Sequence, residues 1–476
     1  MTSVPAPSAL SPTAAVSAVT AFSKRRLRLA AQLRAQGGGV AVLPTLPELL
    51  RNADTHYPYR HDSSFHYLTG FDEPQAWLIV FADGRSHLLC REKNLEREIW
   101  DGLRLGPQAA PAALGVDQAF PVDQLDQLMP EWLAGQPALW FPFGHCGLQP
   151  QVDGWLNSLR ARSRAGITGP SALRDLGALV SEMRVVKDEG EIDTMRRAAA
   201  ISATAHVRAM RYCAQRLRVG AAGVAEFEIE AELLHEFRRA GAQSPAYPSI
   251  VAAGANACVL HHAAGNAVLR DGELCLIDAG CELDGYASDI TRTFPANGRF
   301  TGPQRDLYQL VLQAQDAAIA ATRPGARQRD AHHAAVRVLS QGMLDLGLLR
   351  RDVVGDVDAV IEKTAYRQFY MHGTGHWLGR DVHDVGEYLS ADEAPVPQPD
   401  GLGGTVVKKP SRVLAPGMVV TLEPGLYVRP GEGVPEAFWH LGIRVEDDAV
   451  VTPTGCELIS RGVPVAIDEI EALMRD

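Results

Sequence analysis

Over roughly its first 180 residues the chain alternates short apolar runs with segments of helical spacing. Four of the apolar runs are bounded by Gly, Pro or Asp, which is typical of buried strands; they cover residues 40–43, 77–81, 87–90 and 139–143. Residues 24–35 have helical spacing and end before three glycines at 37–39. The pattern predicts an amino-terminal α/β domain over residues 23–185.

The rest of the chain contains two similar pairs of predicted helices, each of which ends near a glycine. The first pair covers residues 191–217 and 225–239, and the second covers 303–322 and 328–346. The terminating glycines of the first helices, Gly220 and Gly325, are 105 positions apart, and those of the second, Gly241 and Gly347, are 106 apart. Helix pairs of similar length also arise by chance. Because strand-like sequence with His, Asp or Glu follows each pair, we predict an α+β domain over 186–476, with two αα-β halves and a site between them.

The size and composition of the chain limit the class of protein to which it can belong. At 476 residues it is too long for one ordinary core, so two or more domains are expected. Hydrophobic residues make up 46% and charged residues 22%, which is typical of a soluble globular protein. No run of residues is long and apolar enough to predict a membrane span. The formal net charge of -11 disfavours nucleic acid as a partner.

Three further features concern location and surface. The seven cysteines are scattered without a C-x-x-C pair, which predicts reduced thiols in a cytoplasmic protein. Residues 1–22 are rich in Ala, Ser, Pro and Thr, and the basic cluster at 24–26 follows them, whereas basic residues come first in a secretory signal. We predict a disordered tail over 1–22. The proline-rich residues 389–412 lack apolar periodicity and predict an inserted surface loop.

Candidate chemistry begins in residues 274–294. An apolar run, typical of a buried strand, ends in Asp278, and Asp284 and Gly285 favour a hairpin turn. Asp289 lies on the return arm, so a hairpin can bring Asp278 and Asp289 to the same place. Two adjacent carboxylates repel each other unless a cation neutralises them, and a divalent metal ion is the usual solution.

A second group of candidate ligands begins in a His- and Gly-rich segment that holds His372, His376 and His383. The first two match the H-x-x-x-H spacing of helical zinc sites. However, Gly373 and Gly375 disfavour a helix, and the usual glutamate after the first histidine is missing. An extended segment aimed at a site is therefore predicted.

Two glutamates complete this group. Glu423 ends an apolar strand before Pro-Gly. Arg444 and Glu446 are two positions apart and would project from one face of a strand, where Arg444 can hold a carboxylate in place. Taken singly, such residues are more often turn residues, satisfied core histidines or strand ends. Together, their burial without a cation would be costly.

Four carboxylates and one imidazole predict a site for two divalent metal ions. Such a ligand set suits manganese, with cobalt, iron or zinc as alternatives. Two such ions balance four negative charges, and a hydroxide shared between them is a nucleophile for amide hydrolysis. The sequence thus predicts a metal-dependent peptidase whose ligands are Asp278, Asp289, His376, Glu423 and Glu446.

Several motifs resemble the pita-bread metallopeptidase family, and within it the aminopeptidase P group. Residues 51–60 (RNADTHYPYR), 65–71 (FHYLTGF) and 98–106 (EIWDGLRLG) are similar to the family's amino-terminal domain. Residues 182–187 (EMRVVK) resemble its junction with the catalytic domain. The likeness covers nearly the whole chain from about residue 50. It implies a pita-bread catalytic domain that removes the N-terminal residue from peptides with proline in the second position.

The resemblance implies a role for each metal ligand. Asp278 binds one ion, and His376 and Glu423 bind the other. Asp289 and Glu446 bridge the pair. Glu423 additionally shuttles a proton from the nucleophile to the leaving proline nitrogen.

The resemblance also implies roles for residues that do not bind metal. His261, His372 and His383 donate hydrogen bonds to the substrate carbonyl or its oxyanion, while His262 is peripheral. Arg444 and Tyr427 are candidates for contacts to substrate or to the ligand carboxylates.

The family forms oligomers, so a dimer or tetramer is expected. A neighbouring subunit's amino-terminal domain is expected to narrow access to the site, with Trp100 and Asp54 as candidate contacts. A packed aromatic and a capping Asp are the alternatives for these two. Arg184 is a candidate substrate contact or, equally, a domain-interface residue.

Rival functions stay open at this point. Prolidase shares the ligand set but cleaves only Xaa-Pro dipeptides. Creatinase has the same fold without a metal, and a complete set of five ligands argues against it. From a different class, the fold also serves as a non-catalytic peptide-binding module, which predicts lost ligands.

Overall fold

A computed structural model of the protein describes residues 12–145, 147–399 and 404–475. The chain divides into an amino-terminal unit, Met1–Met183, and a carboxy-terminal unit, Arg184–Asp476.

The helices and strands of the amino-terminal unit alternate along the chain. They are α1 (Pro12–Ala35), β1 (Val40–Pro44), β2 (Leu50–Asn52), β3 (Thr55–His56), α2 (Ser63–Thr69), β4 (Trp77–Phe81), β5 (Ser86–Cys90), α3 (Leu95–Asp101), α4 (Gly106–Leu114), β6 (Gln118–Pro121), α5 (Leu125–Leu133), β7 (Ala138–Phe141), α6 (Leu148–Ala161), β8 (Ala172–Asp175) and α7 (Leu176–Val185).

Six of these strands form one mixed sheet in the order β6-β5-β4-β1-β7-β8. β4 runs antiparallel to β1 and β5, whereas β1–β7, β7–β8 and β5–β6 are parallel pairs. Every residue of β1, β5 and β7 is buried. Continuous apolar runs fit such strands because both of their faces are covered. The four strands predicted from these runs are confirmed.

Helix α1 corrects part of the predicted disordered tail. The helix predicted from residue 24 begins at Pro12, so residues 12–22 are helical, while residues 1–11 lie outside the described part of the chain. Alanine recurs through this stretch, and alanine has the highest helix propensity of all residues. The small and polar composition that suggested a tail is therefore also compatible with extension of the helix.

The carboxy-terminal unit contains the two predicted helix pairs and several small antiparallel sheets. Its elements are α8 (Glu189–Arg218), β9 (Val224–Ala225), α9 (Glu226–Arg239), β10 (Ser244–Pro245), β11 (Ile250–Ala253), β12 (Val268–Leu269), β13 (Leu274–Asp278), β14 (Cys281–Leu283), β15 (Tyr286–Ala287), β16 (Thr291–Pro295), α10 (Gly302–Ala321), α11 (Gln328–Asp345), α12 (Arg351–Val354), α13 (Val357–Glu362), β17 (Val396–Pro399), β18 (Thr405–Lys408), β19 (Val419–Leu422), β20 (Gly425–Val428), β21 (Leu441–Arg444), β22 (Asp447–Val451), β23 (Cys456–Leu458) and α14 (Ile467–Leu473).

The two halves of this unit have the same order of elements. Helices α8 and α9 precede the sheet β11-β13-β16, and helices α10 and α11 precede β19-β22-β23 and β20-β21. The halves join through main-chain pairing, because the Glu446 amide donates to the Thr291 carbonyl at 3.1 Å. Strand ends from both halves therefore meet at one seam.

The inserted segment at 389–412 is not a plain loop. β17 and β18 pair antiparallel, with Val396 opposite Lys408, while residues 400–403 lie outside the described chain. Hydrogen bonding between Ser390 and Pro410 closes the base of the hairpin. The β-branched run in β18 supports a strand, and its prolines hid the pattern, although an edge strand tolerates proline.

The amino-terminal cap of α8 gives a first prediction. Asp188 accepts from the Glu191 amide at 3.0 Å, and the Glu191 carboxylate accepts from the Asp188 amide at 2.9 Å. Because Asp188→Ala removes one half of this capping box, it should lower the free energy of unfolding by about 1 kcal/mol in urea denaturation. The control Arg211→Ala changes an exposed residue of the same helix and should stay within about 0.5 kcal/mol of the parent. Equal losses in both variants would contradict the capping role.

Candidate active site

Two aspartates are brought together by nested antiparallel strands. Asp278 ends β13 and pairs in register with Thr291 on β16, and Asp289 lies just before β16. The connection contains the β14–β15 hairpin, whose turn residues Asp284 and Gly285 both have positive φ, as the predicted turn requires. Gly280 allows the two arms to cross, since a Cβ there would lie 1.7 Å from the Ser288 carbonyl oxygen.

A tyrosine that the sequence did not reveal lies between these aspartates. The Tyr247 hydroxyl is 2.6 Å from Asp278 Oδ1 and 2.5 Å from Asp289 Oδ1. Its single hydrogen can serve only one of the two carboxylates at a time. The contact therefore fixes the positions of Asp278 and Asp289 without neutralising them both.

The segment around His376 is extended, as its glycines predict. The His376 and Thr421 main chains bond to each other, with the Thr421 amide donating to the His376 carbonyl at 3.0 Å. The Glu423 amide donates to the Thr374 carbonyl at 2.8 Å. A Cβ at Gly375 would lie 1.9 Å from the Thr421 carbonyl oxygen, so glycine is needed for this close approach. Helical zinc-site geometry is excluded here because the segment is not helical.

Glu446 reaches the site from the strand end that joins the halves. Thr291 Oγ1 donates to Glu446 Oε2 at 2.6 Å. Asp289, His376 and Glu446 each offer a ligand atom, and these atoms all lie within 4.8 Å of one another. His376 Nε2 is 3.4 Å from Asp289 Oδ2 and 3.7 Å from Glu423 Oε1.

One cavity of about 620 Å³ is lined by all five predicted ligands and by the three other motif histidines. The His376 Nδ1 hydrogen is directed to the Trp377 carbonyl oxygen at 3.0 Å, so Nε2 is the nitrogen that faces the carboxylates. The ring can bind a cation through Nε2 when the cation replaces the proton on that nitrogen.

The electrostatics of the cavity show why a cation fits. Burial, together with repulsion from neighbouring carboxylates, raises the pKa of Glu423 to about 7, and raises the pKa values of Asp289 and Glu446. Burial also disfavours charged His376, but its hydrogen bond to Asp289 and the charge of Glu423 raise its pKa to about 9. Buried acids that hold protons and a buried histidine that gains one are the expected response to missing positive charge. The donor set therefore fits divalent metal ions.

Arg444 and His372 are joined by a directed chain of hydrogen bonds. Arg444 Nη2 contacts Asp278 Oδ2 at 2.5 Å, and Arg444 Nη1 donates to the Tyr427 hydroxyl at 2.9 Å. Tyr427 must then donate to His372 Nε2, 2.8 Å away, because His372 Nδ1 donates to the Gly373 carbonyl at 2.7 Å. Burial and Arg444 lower the pKa of His372 to about 3. Neutral His372 thus has both nitrogens engaged within the protein, and Tyr427 is buried behind the cavity instead of lining it.

His261 and His383 remain directed at the cavity. The His383 ring lies edge-on to His376, with ring centroids 4.4 Å apart, and burial followed by His376 and His261 lowers its pKa. His262, expected to be peripheral, contacts the fully buried Glu226 carboxylate at 2.9 Å.

Glu226 anchors the loop that carries His261. It also accepts from the Ala253 amide at 2.9 Å and the Gly265 amide at 3.0 Å. Four residues between 253 and 265, counting Asn256 and His262, therefore share one buried acceptor. Neither Glu226 nor Tyr247 lies in a motif, so only their long-range contacts identify them.

Three predicted residues lie elsewhere. Arg184 is buried and pairs with Asp381 at 2.7 Å and Asp384 at 2.5 Å, and it does not line the cavity, so its side chain is not placed for the suggested substrate contact. The ion pairs with these two aspartates hold its guanidinium group in that position. Trp100 lies on α3 with 83% of its surface exposed, and Asp54 lies in the exposed turn between β2 and β3.

Comparisons with known proteins identify the family of the chain. Residues 193–453 match the model of metallopeptidase family M24, and residues 22–140 match the aminopeptidase P N-terminal domain. The chain is 42% identical over 458 residues to an Escherichia coli Xaa-Pro aminopeptidase, covering 95% of this chain and 97% of the relative. It is 31% identical to human Xaa-Pro aminopeptidase 3, covering 95% and 85%.

Solved structures extend the comparison to the fold. An aminopeptidase from Pseudomonas aeruginosa is 44% identical, with a TM-score of 0.88, and the match covers 96% of this chain and 98% of that one. This confirms the predicted fold, an amino-terminal α/β domain followed by a pita-bread catalytic domain. The chain belongs to metallopeptidase family M24, carries the amino-terminal domain of aminopeptidase P, and is a hydrolase that depends on divalent metal ions.

Proposed function

We propose that this protein is an Xaa-Pro aminopeptidase that uses two divalent metal ions, with manganese as the first candidate and cobalt, iron or zinc as alternatives. The observation that carries the proposal is the convergence of four carboxylates, three of them buried and Glu423 half-buried, and one imidazole, from both halves of the unit, on one cavity. Two divalent ions match the four negative charges.

The resemblance to the family implies how the ligands would divide between the two ions. Asp278 would hold one ion, His376 and Glu423 would hold the other, and both ions would share Asp289 and Glu446. When bound, the ions supply the Lewis acidity that lowers the pKa of water and makes it nucleophilic at neutral pH.

The remaining chemistry falls to protein groups around this cavity. Glu423 is the proton carrier: its Oε2 faces the cavity 3.7 Å from His372 Nδ1, where it can take a proton from the attacking water and deliver it to the leaving proline nitrogen. Within the described chain, the side chains of His261 and His383 make no hydrogen bond to other protein groups. Both can therefore donate to the substrate carbonyl or its oxyanion. His372 is hydrogen-bonded to Tyr427, which is hydrogen-bonded to Arg444, and this chain fixes the side of the cavity that His372 lines.

The proposed selectivity for proline is supported by the similarity to Xaa-Pro aminopeptidases and by the shape of the cavity. The peptide bond before proline has no N–H, so recognition needs an apolar surface and not a backbone acceptor. Leu260, Ile250 and Val382 line the cavity beside the ligands and provide such a surface. Prolidase activity, limited to dipeptides, is the nearest alternative. A non-catalytic peptide-binding module is disfavoured because all five ligands are present.

An oligomer is part of the proposal. Helix α3 has no buried residue, and it presents Leu95, Ile99 and Trp100 with 80%, 80% and 83% exposure. Leu103, just beyond it, is 86% exposed. Such an apolar surface suits burial against another subunit, where Trp100 and the exposed Asp54 would narrow access to the neighbour's site.

A cytoplasmic location is also proposed. The six cysteines in the described part of the chain are unpaired, which suits a reducing compartment. Among the described residues, no helix has the length and apolar character needed to cross a membrane.

Peptide hydrolysis distinguishes the candidate functions. The manganese-loaded protein should release alanine from Ala-Pro-Ala and leave Ala-Ala-Ala intact, because the proposed specificity is for the tertiary amide bond before proline. Turnover of Ala-Pro alone would favour prolidase. A protein that retains no metal after gentle purification, and that hydrolyses none of these peptides, would favour the non-catalytic binding module. Chromatographic detection of free alanine gives the readout.

Loss of a shared ligand should disable the site. Asp289→Ala removes a carboxylate that contacts both ions, so kcat/KM on Ala-Pro-Ala should fall at least about 100-fold, with lower metal content by elemental analysis. Asp306→Ala, an exposed aspartate on α10, is the control and should keep parental activity. Full activity in Asp289→Ala would rule out the two-ion proposal.

The stability of the metal-free protein, and the stabilisation by added metal, should both depend on pH. Glu423 and Glu446 have raised pKa values in the metal-free fold, so the folded state binds more protons than the unfolded state. Metal-free stability should therefore fall as pH rises from about 4.5 towards 7. Metal ions compete with these protons, so the increase in Tm on adding Mn²⁺ should be larger at pH 7.5 than at pH 5.5, by several degrees in calorimetry. An increase independent of pH would contradict a carboxylate-bound metal.

A further inference from the structure

A second group of potential metal ligands surrounds the short helix α2 in the amino-terminal unit. His61 lies just before the N-cap residue Asp62, His66 lies inside the helix, and Asp72 follows the C-cap residue Gly70. Their side chains each offer a ligand atom, and these atoms all lie within 4.8 Å of one another. None of the three belongs to the site described above.

The two imidazoles face one carboxylate oxygen. His66 Nε2 lies 2.8 Å from Asp72 Oδ1, and His61 Nε2 lies 3.7 Å from the same atom. The rings are stacked, with centroids 3.9 Å apart and planes inclined by 18°, and both Nε2 atoms lie near Asp72 Oδ1. Close stacking beside one acid disfavours two charged imidazoles, because like charges at this separation repel.

The packing encloses the two histidines and leaves the acid at the surface. Both histidine side chains are 11% exposed, whereas the Asp72 side chain is 75% exposed. Phe22 of α1 lies edge-on to His66, with ring centroids 6.0 Å apart, and supports it from the core side. An ion needs its ligand atoms at about 2.0–2.2 Å, which requires the rings to tilt apart and the exposed carboxylate to follow.

Neighbouring arginines contact the segments that carry the two histidines. Arg25 Nη1 donates to the Tyr67 carbonyl at 3.2 Å. Arg60 Nη1 donates to Ser63 Oγ at 3.1 Å and to the His61 carbonyl at 3.3 Å. These contacts brace both segments.

We propose that His61, His66 and Asp72 form a binding site for a first-row transition-metal ion, Cu²⁺, Ni²⁺ or Zn²⁺, which ties together the two ends of α2. Two imidazoles and one carboxylate with open positions suit these borderline ions, and affinity rises along the series to copper. The catalytic cavity has the opposite balance, four carboxylates to one imidazole. The two sites therefore offer different ligand chemistry to a metal ion.

Copper retention by the manganese-loaded, full-length protein tests the site. In equilibrium dialysis with excess Mn²⁺, the parent should retain one Cu²⁺ per chain, and His61→Gln/His66→Gln should bind it at least tenfold more weakly. His56→Gln alters an exposed histidine of the same unit and should bind copper as the parent does. Manganese content, measured in the same samples, shows whether copper has displaced the catalytic ions.

Electron paramagnetic resonance separates this site from the catalytic one by the number of nitrogen ligands. With half an equivalent of Cu²⁺, the parent should show coupling to two imidazole nitrogens, and His376→Gln should leave that signal intact. Asp72→Asn changes an exposed side chain, so it should weaken copper binding while preserving the fold. This single variant tests the site even if the double histidine variant fails to fold. Coupling to one nitrogen in the parent, or equal copper binding by the parent and Asp72→Asn, would overturn the proposal.

Discussion

Four carboxylates around one cavity, three of them buried, are the constraint on which the rest of the site depends. Asp278, Asp289 and Glu446 are each less than a tenth exposed, and Glu423 faces them. Removing a carboxylate from water is costly, and placing several together adds repulsion. Arg444 and His376 provide only two positive charges, and Arg444 is committed to Asp278. Divalent cations supply the missing charge, so metal binding and the stability of this seam are physically linked.

The duplicated arrangement explains how such an unfavourable cluster can be built at all. Each half ends its strands at the seam, so ligands distant in sequence converge without a long loop. Two glycines permit the approach: Gly280 sits against the Ser288 carbonyl and Gly375 against the Thr421 carbonyl. Thr291 and Tyr247 then hold the carboxylates of Glu446, Asp278 and Asp289 at fixed positions. The rigidity comes from paired strands and directed hydrogen bonds, which suits a site that has to orient divalent metal ions and a peptide.

Residues could be predicted from sequence where local pattern and unusual chemistry coincide. Asp278 and Glu423 each end an apolar strand, and an acid there is conspicuous. The long helices were predicted to within a few residues because apolar periodicity and terminating glycines mark them. Tyr247 and Glu226 were missed, because an isolated tyrosine or helix-start glutamate is ordinary until the fold brings distant partners to it. The β17–β18 hairpin and the start of α1 were missed because proline and small polar residues obscure local preference.

The most direct test of the central claim is anomalous X-ray scattering at the manganese edge from crystals of the manganese-loaded protein. Two anomalous peaks should lie in the cavity, one against Asp278 and the other against His376 and Glu423, with Asp289 and Glu446 in contact with both. A cavity without anomalous signal, or with peaks that none of these side chains contact, would contradict a carboxylate cluster built to hold two metal ions.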